Sequence, residues 1–188
     1  HIGDGRSWEL NRRRGGLTIN PPNYDIINPT EIETYFDTIR AFENNNAEYV
    51  FITNPMYINK VDIGDAKERL KTEGRDALIF TKKTEDKDGF FLNRKIINSS
   101  EDGKPISAGL NLGTSDEFDL FAGSIIIKRE IFLRVLRYAE EKNSITTMLT
   151  AIFEFPEDLD VGFYRIDNQL EIIMDTYSFF DANLKLLD

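Results

Sequence analysis

Apolar positions along this chain recur with two periods, and the switches between them mark out the elements. Leu17-Thr18-Ile19 reads as a short strand that Pro21-Pro22 stops. A helix follows, with Asn28 placed to cap it, Pro29 suited to its first position and Glu31 completing a capping-box pattern. Ile32, Tyr35, Phe36, Ile39 and Phe42 then fall at helical spacing, so one face is expected to be buried. Tyr49-Val50-Phe51-Ile52 is apolar without alternation, which suits a central strand covered on both faces. Residues 62–73 predict a helix ending at Gly74, and Ala77-Leu78-Ile79-Phe80 a second strand. Strand, helix and strand at this spacing predict the βαβ unit of a parallel sheet.

The stretch 81–117 is polar and rich in turns, with strands expected near 90–97 and 105–112 around the turn Asp102-Gly103. Residues 118–127 are the most strand-like run in the chain. The helix predicted over 128–142 turns Ile131, Phe132, Val135, Leu136 and Ala139 inward. A short helix near 144–152, strands at 161–166 and 169–174, and a terminal helix from about Asp175 complete the pattern. Strands alternating with helices place the chain in the α/β class.

Composition narrows the chemistry. The 188 residues carry 33 acidic and 23 basic side chains, a net charge of −10 that disfavours a general nucleic-acid binder. No apolar run approaches the length of a membrane span, and nothing at the start resembles a signal peptide, so a cytoplasmic protein is expected. With no Cys and only His1, thiolate nucleophiles, Cys-ligated metals, a Ser-His-Asp triad and a His-rich metal site are excluded. Chemistry would have to rest on carboxylates, Lys or Arg, hydroxyls, backbone amides and a hard cation.

Short motifs add little. Gly3-x-Gly5 lacks a third glycine and a preceding strand, so it is no dinucleotide fingerprint. Glu85-Asp86-Lys87-Asp88-Gly89 fails the spacing of a calcium loop and reads as a solvated turn. Arg12-Arg13-Arg14 is either a phosphate-binding run or a solvated or subunit-contacting one. Ligands of open α/β sheets bind beyond the carboxyl ends of strands. There, after 49–52, stand Thr53-Asn54-Pro55-Met56-Tyr57, without a carboxylate.

The opening HIGDGRSWELNRRRGGLTINPP resembles a segment of bacterial glucose-1-phosphate adenylyltransferases (ADP-glucose pyrophosphorylases), roughly HIGSGKPWDLDRxRGGxxILPP. Glu48-Tyr49-Val50 with Asp62 fits the strand and loop that end in "GDH…MD", and Phe121–Ile125 fits "SMGIY". Ser178–Leu187 fits "SYWEANMDLL". The resemblance implies a three-layer α/β sandwich with a Rossmann-like, mostly parallel sheet lacking its N-terminal strand or strands. Residues 1–188 would then be a partial nucleotidyltransferase-like domain without the family's Gly-rich loop and C-terminal β-helix. Such an open sheet would leave an unpaired edge and an apolar face for self-association, or for the absent segment, to cover.

Departures from the pattern change the functional expectation. By the resemblance, the two metal-binding Asp positions fall on Met56 and near Ile172, and the sugar-phosphate Lys near Asn111. The "GTADA" loop falls on Thr34–Thr38, which reads as helix. These losses resemble the D-type, non-catalytic subunit of glycogen biosynthesis, which regulates a catalytic partner in making ADP-glucose from ATP and glucose 1-phosphate. Magnesium, which the family uses, would then have no ligands, and no catalytic residue is assigned. A vestigial pocket for a sugar nucleotide or sugar phosphate is expected around Thr53, Asn54, Met56, Gly123 and Asp175. Arg6, Arg12 and Arg14 would contact phosphate or a subunit. The alternatives are an active sugar-phosphate nucleotidyltransferase with altered metal ligands and an unrelated α/β interaction module.

Overall fold

Two-sided burial of the strands organises the molecule. The computed structural model describes residues 28–167 and 169–185. It contains, in chain order, α1 (Glu31–Asp37), α2 (Ile39–Glu43), β1 (Tyr49–Thr53), β2 (Tyr57–Asn59), α3 (Ile63–Thr72), β3 (Ala77–Glu85), β4 (Lys95–Ser99), β5 (Pro105–Leu110), β6 (Glu117–Lys128), α4 (Arg129–Lys142), α5 (Met148–Glu154), β7 (Val161–Arg165), β8 (Leu170–Ile172) and α6 (Thr176–Lys185).

Along β3, Ala77 and Ile79 face one core cluster while Leu78 and Phe80 face another. The first cluster packs against α1, α4 and α5, and the second against α3 through Ala66 and Leu70. Helices on both faces of a sheet make the expected three-layer α/β fold. α4 contributes most to the first face, because Ile131, Phe132, Val135, Leu136 and Ala139 share one side and are all buried. Asn143, with φ of 52°, ends it in the left-handed conformation that Asn tolerates.

The six-stranded sheet has the order β5-β4-β6-β3-β7, with β1 paired to the remaining part of β6. β1, β3, β4 and β7 run one way, and β5 and β6 run against them. The sheet is therefore mixed, and the unit from β1 through α3 to β3 is parallel with β6 lying between its strands. The chain returns through the β4–β5 hairpin, so the strand inserted beside β3 arrives antiparallel. β6 is the central strand, with Phe118 to Ile127 buried throughout. The expectation of a central, fully covered β1 is corrected: β1 is half-buried and, among the described residues, pairs only with β6.

Three local details also depart from expectation. One long helix was expected after residue 29, but Thr38 separates α1 from α2, its hydroxyl bonding back to the carbonyls of Thr34 and Tyr35. The cap of α1 is Thr30, not Asn28: Thr30 Oγ1 accepts from Glu33 N at 3.2 Å and Glu33 Oε2 accepts from Thr30 N at 2.7 Å. Asn28 instead has a φ of 57° and lies before the cap. β2, which the pattern missed, pairs with β8 in a separate two-stranded sheet. Residues 17–22 and the arginine run lie outside the described residues.

Candidate functional site

A concavity opens at the carboxyl end of β1, where the chain leaves the sheet. Asn54 N donates to Gly123 O at 2.8 Å, prolonging the β1–β6 contact by one residue. Gly123 has a φ of 77°, and a Cβ there would lie 2.3 Å from Tyr57 Cγ. Only glycine lets the Tyr57 ring rest on the backbone of β6 at this point. Thr53 and Ser124 exchange a hydroxyl hydrogen bond of 2.9 Å across the two strands.

The resulting pocket has a volume of about 340 Å³. Thr53, Asn54 and Gly123 line it, with Tyr57 of the same strand-end segment and three residues sequence reasoning did not single out for a site: Glu31, Tyr35 and Lys95. Ile52, Phe121, Ile125 and Leu149 supply apolar wall. Met56 and Asp175 do not line it. Met56 N donates to Asn54 Oδ1, its carbonyl accepts from Ile173 N, and its side chain is exposed. Asp175 precedes α6 and accepts from Ser178 N at 2.8 Å, which holds its carboxyl below the usual range. Arg6, Arg12 and Arg14 lie outside the described residues.

Glu31 and Lys95 give the pocket its electrostatic character. Because Thr30 and Glu33 form the capping box, Glu31 is free to reach across, and its Oε1 accepts from Met148 N at 3.1 Å. Lys95 Nζ donates to Thr147 Oγ1 at 3.2 Å, so both side chains rest on successive residues at the start of α5. Burial raises the Glu31 carboxyl above its ordinary range, while the Met148 amide and Lys95 oppose that rise. Burial likewise lowers the Lys95 ammonium, opposed by Glu31. Tyr35 and Tyr57 are pushed up chiefly by burial, with Glu31 adding to the shift at Tyr35. Both phenols are protonated at neutral pH and can donate. A half-buried carboxylate, ammonium and two phenols around an apolar wall is a pattern typical of ligand sites.

The positions that the resemblance assigns to metal-binding Asp residues come together in space. Tyr57 pairs with Ile172 across β2 and β8, and Ile173 N donates to Met56 O at 2.8 Å. The two backbone segments are thus adjacent, but Met56 is exposed while Ile172 is buried beside Tyr57, so their side chains face opposite ways. Met56 offers a thioether, and Ile172 is buried with Phe118 and Leu120. Among the described residues no group of three His, Asp or Glu side chains converges. The residues present do not fit magnesium, a cation that takes oxygen ligands. Asn111, near the expected sugar-phosphate Lys, is buried and holds its loop by bonding Phe91 O and Gly113 N. Asp86, in the solvated-turn segment, accepts from the amides of Phe90 and Phe91.

No family model matches the chain. Over its whole length it is 25% identical to the glucose-1-phosphate adenylyltransferase of Halalkalibacterium halodurans, covering 50% of that protein. An 84-residue stretch, 42% of the chain, is 36% identical to the glucose-1-phosphate adenylyltransferase of Clostridium perfringens and covers 21% of it. The chain spans about half the length, or less, of these relatives. Among solved structures, a glucose-1-phosphate thymidylyltransferase from Bacillus anthracis, in complex with a sucrose, superposes with a TM-score of 0.73 at 12% identity. The match covers 100% of this chain and 70% of that one. HddC from Yersinia pseudotuberculosis gives a TM-score of 0.55 at 11% identity over 78% of this chain and 59% of its own. The chain has the α/β fold of a sugar nucleotidyltransferase and weak sequence similarity to adenylyltransferases.

Proposed function

We propose that this chain is a non-catalytic, regulatory subunit of a glucose-1-phosphate adenylyltransferase in glycogen biosynthesis. It would bind a catalytic partner and modulate the formation of ADP-glucose from ATP and glucose 1-phosphate. The observation that carries this reading is the character of the two positions that the resemblance gives to metal ligands: Met56 has an exposed thioether side chain and Ile172 is buried in an apolar cluster. Neither side chain can neutralise phosphate charge. Phosphoryl chemistry of this kind depends on positioning and charge stabilisation, and the one carboxylate that lines the pocket among the described residues interacts instead with Lys95.

A role through partners is also supported by the surface. Phe90, Leu112, Tyr177 and Phe180 are more than 60% exposed (73%, 69%, 87% and 64%), which favours contact with a catalytic subunit or a second copy. No helix among the described residues is long and apolar enough to cross a membrane. The similarity of fold along the whole chain weighs against an unrelated interaction module.

The test is reconstitution. The full chain is mixed with a catalytic glucose-1-phosphate adenylyltransferase subunit from the same source. Co-elution as a hetero-oligomer and a changed kcat or KM for ATP or glucose 1-phosphate are expected. Separate elution with unchanged kinetics would overturn the reading.

A further inference from the structure

The pocket's polar groups are balanced in a way that points to an uncharged ligand. Among the described residues its lining carries one carboxylate, Glu31, and one ammonium, Lys95. A phosphate ester presents only acceptors and needs surplus donors and positive charge around it. Here a carboxyl group, acceptor-only when ionised, lines the same space in a protein of net charge −10. Lys95 alone would attract phosphate, but Glu31 offsets it at close range.

A saccharide hydroxyl, by contrast, both donates and accepts. Glu31 lines the pocket and has Oε1 engaged with Met148 N, which leaves acceptor capacity on Oε2. Lys95 bonds Thr147 Oγ1 and retains further N–H donors. The Tyr35 and Tyr57 hydroxyls, kept protonated by burial, serve either role. Tyr57, held flat on Gly123, and the side chains of Phe121 and Leu149 offer apolar surface to the C–H faces of a ring. The volume of about 340 Å³ stands at the small end of ligand sites, suited to a sugar ring and not to a dinucleotide. Glu31 and Lys95 arrive from α1 and β4 but are fixed on the same turn, so the site is largely preorganised.

We infer that this pocket binds a neutral saccharide ring, and that Glu31 is the specificity residue that turns phosphate esters away. The inference rests on the reading above only in taking the pocket to have no catalytic task.

Titration calorimetry or saturation-transfer NMR on the full chain at neutral pH tests it, with glucose, maltose, glucose 1-phosphate and inorganic phosphate as probes. At least one neutral sugar is expected to bind at least tenfold more tightly than glucose 1-phosphate. Glu31→Gln should improve glucose 1-phosphate binding at least tenfold, and Lys95→Met should weaken all the ligands. Tyr57→Phe, which keeps the ring on Gly123, should weaken the neutral sugar several-fold and guards against a variant that merely misfolds. Glucose 1-phosphate binding the native chain as tightly as either neutral sugar would overturn the inference. So would no detectable binding of either sugar, or neutral-sugar affinity unchanged in Tyr57→Phe and Lys95→Met. Because no catalytic partner is present, these failures are distinct from failure of the reconstitution.

Discussion

The centre of the sheet and the rim at the carboxyl end of β1 are built on opposite terms. Around β3, β6 and α4, fully buried Leu78, Ile79, Ile126, Phe132 and Leu136 pack within apolar clusters. Each such side chain stabilises the fold by about 1.5–3 kcal/mol. At the rim, Glu31 and Lys95 are drawn out of water, and burial shifts both toward their neutral forms. Desolvation there opposes folding, so stability resides in the centre and the rim is kept polar at its expense.

Substitutions can break that division. The largest effect is expected at the centre: Leu136→Ala should lower stability by about 2–5 kcal/mol by denaturant titration while leaving ligand preference at the pocket unchanged. Gly123→Ala lies where the two regions meet. The left-handed backbone alone should cost about 1–2 kcal/mol, and displacement of Tyr57 adds to it. Combining it with Tyr57→Ala should recover part of the loss, a coupling that a double-mutant cycle measures. If the losses simply add, Tyr57 does not rest on Gly123 in solution. Thr30→Ala should cost about 1 kcal/mol through loss of the capping bond to Glu33 N.

The smallest effect belongs to the rim and depends on pH. The folded chain holds the Glu31 proton more tightly than the unfolded chain, because burial raises its carboxyl. The stability contribution of this group is therefore complete below the unfolded carboxylate's range and declines as pH rises through the raised folded value. Glu31→Gln removes that decline. The variant should melt slightly above the native chain at neutral pH, with the difference closing as the solution is made acid. A difference that grows on acidification would contradict the assignment.

Where burial is continuous or strictly periodic, the chain could be read directly. β6 announces itself in an unbroken apolar run, and α4 in the spacing of Ile131, Phe132, Val135, Leu136 and Ala139. Neighbour relations are another matter: nothing local to Tyr49–Ile52 reveals that β6 lies between β1 and β3, because that follows from the path of a distant hairpin. Asn28 with Glu31 and Thr30 with Glu33 have the same capping spacing, and only the folded helix chooses between them. That choice hid Glu31 from sequence reasoning. Lys95 was hidden because the strand expected near 90–97 lies in a polar, turn-rich stretch where one more lysine carries no signal of a site. Thr53 and Asn54 were legible because ligands of open sheets bind beyond strand ends, while Gly123 came from the resemblance.

The central claim, a nucleotidyltransferase fold without its catalysis, is tested most directly by pyrophosphate release. The purified full chain alone is incubated with magnesium, ATP and glucose 1-phosphate beside a heat-killed control. With Met56 and Ile172 at the positions that the resemblance gives to cation ligands, and no carboxylate cluster among the described residues, the two samples should release pyrophosphate at the same rate. Magnesium-dependent release above the control would contradict the account and mark the chain as an active enzyme with rearranged ligands.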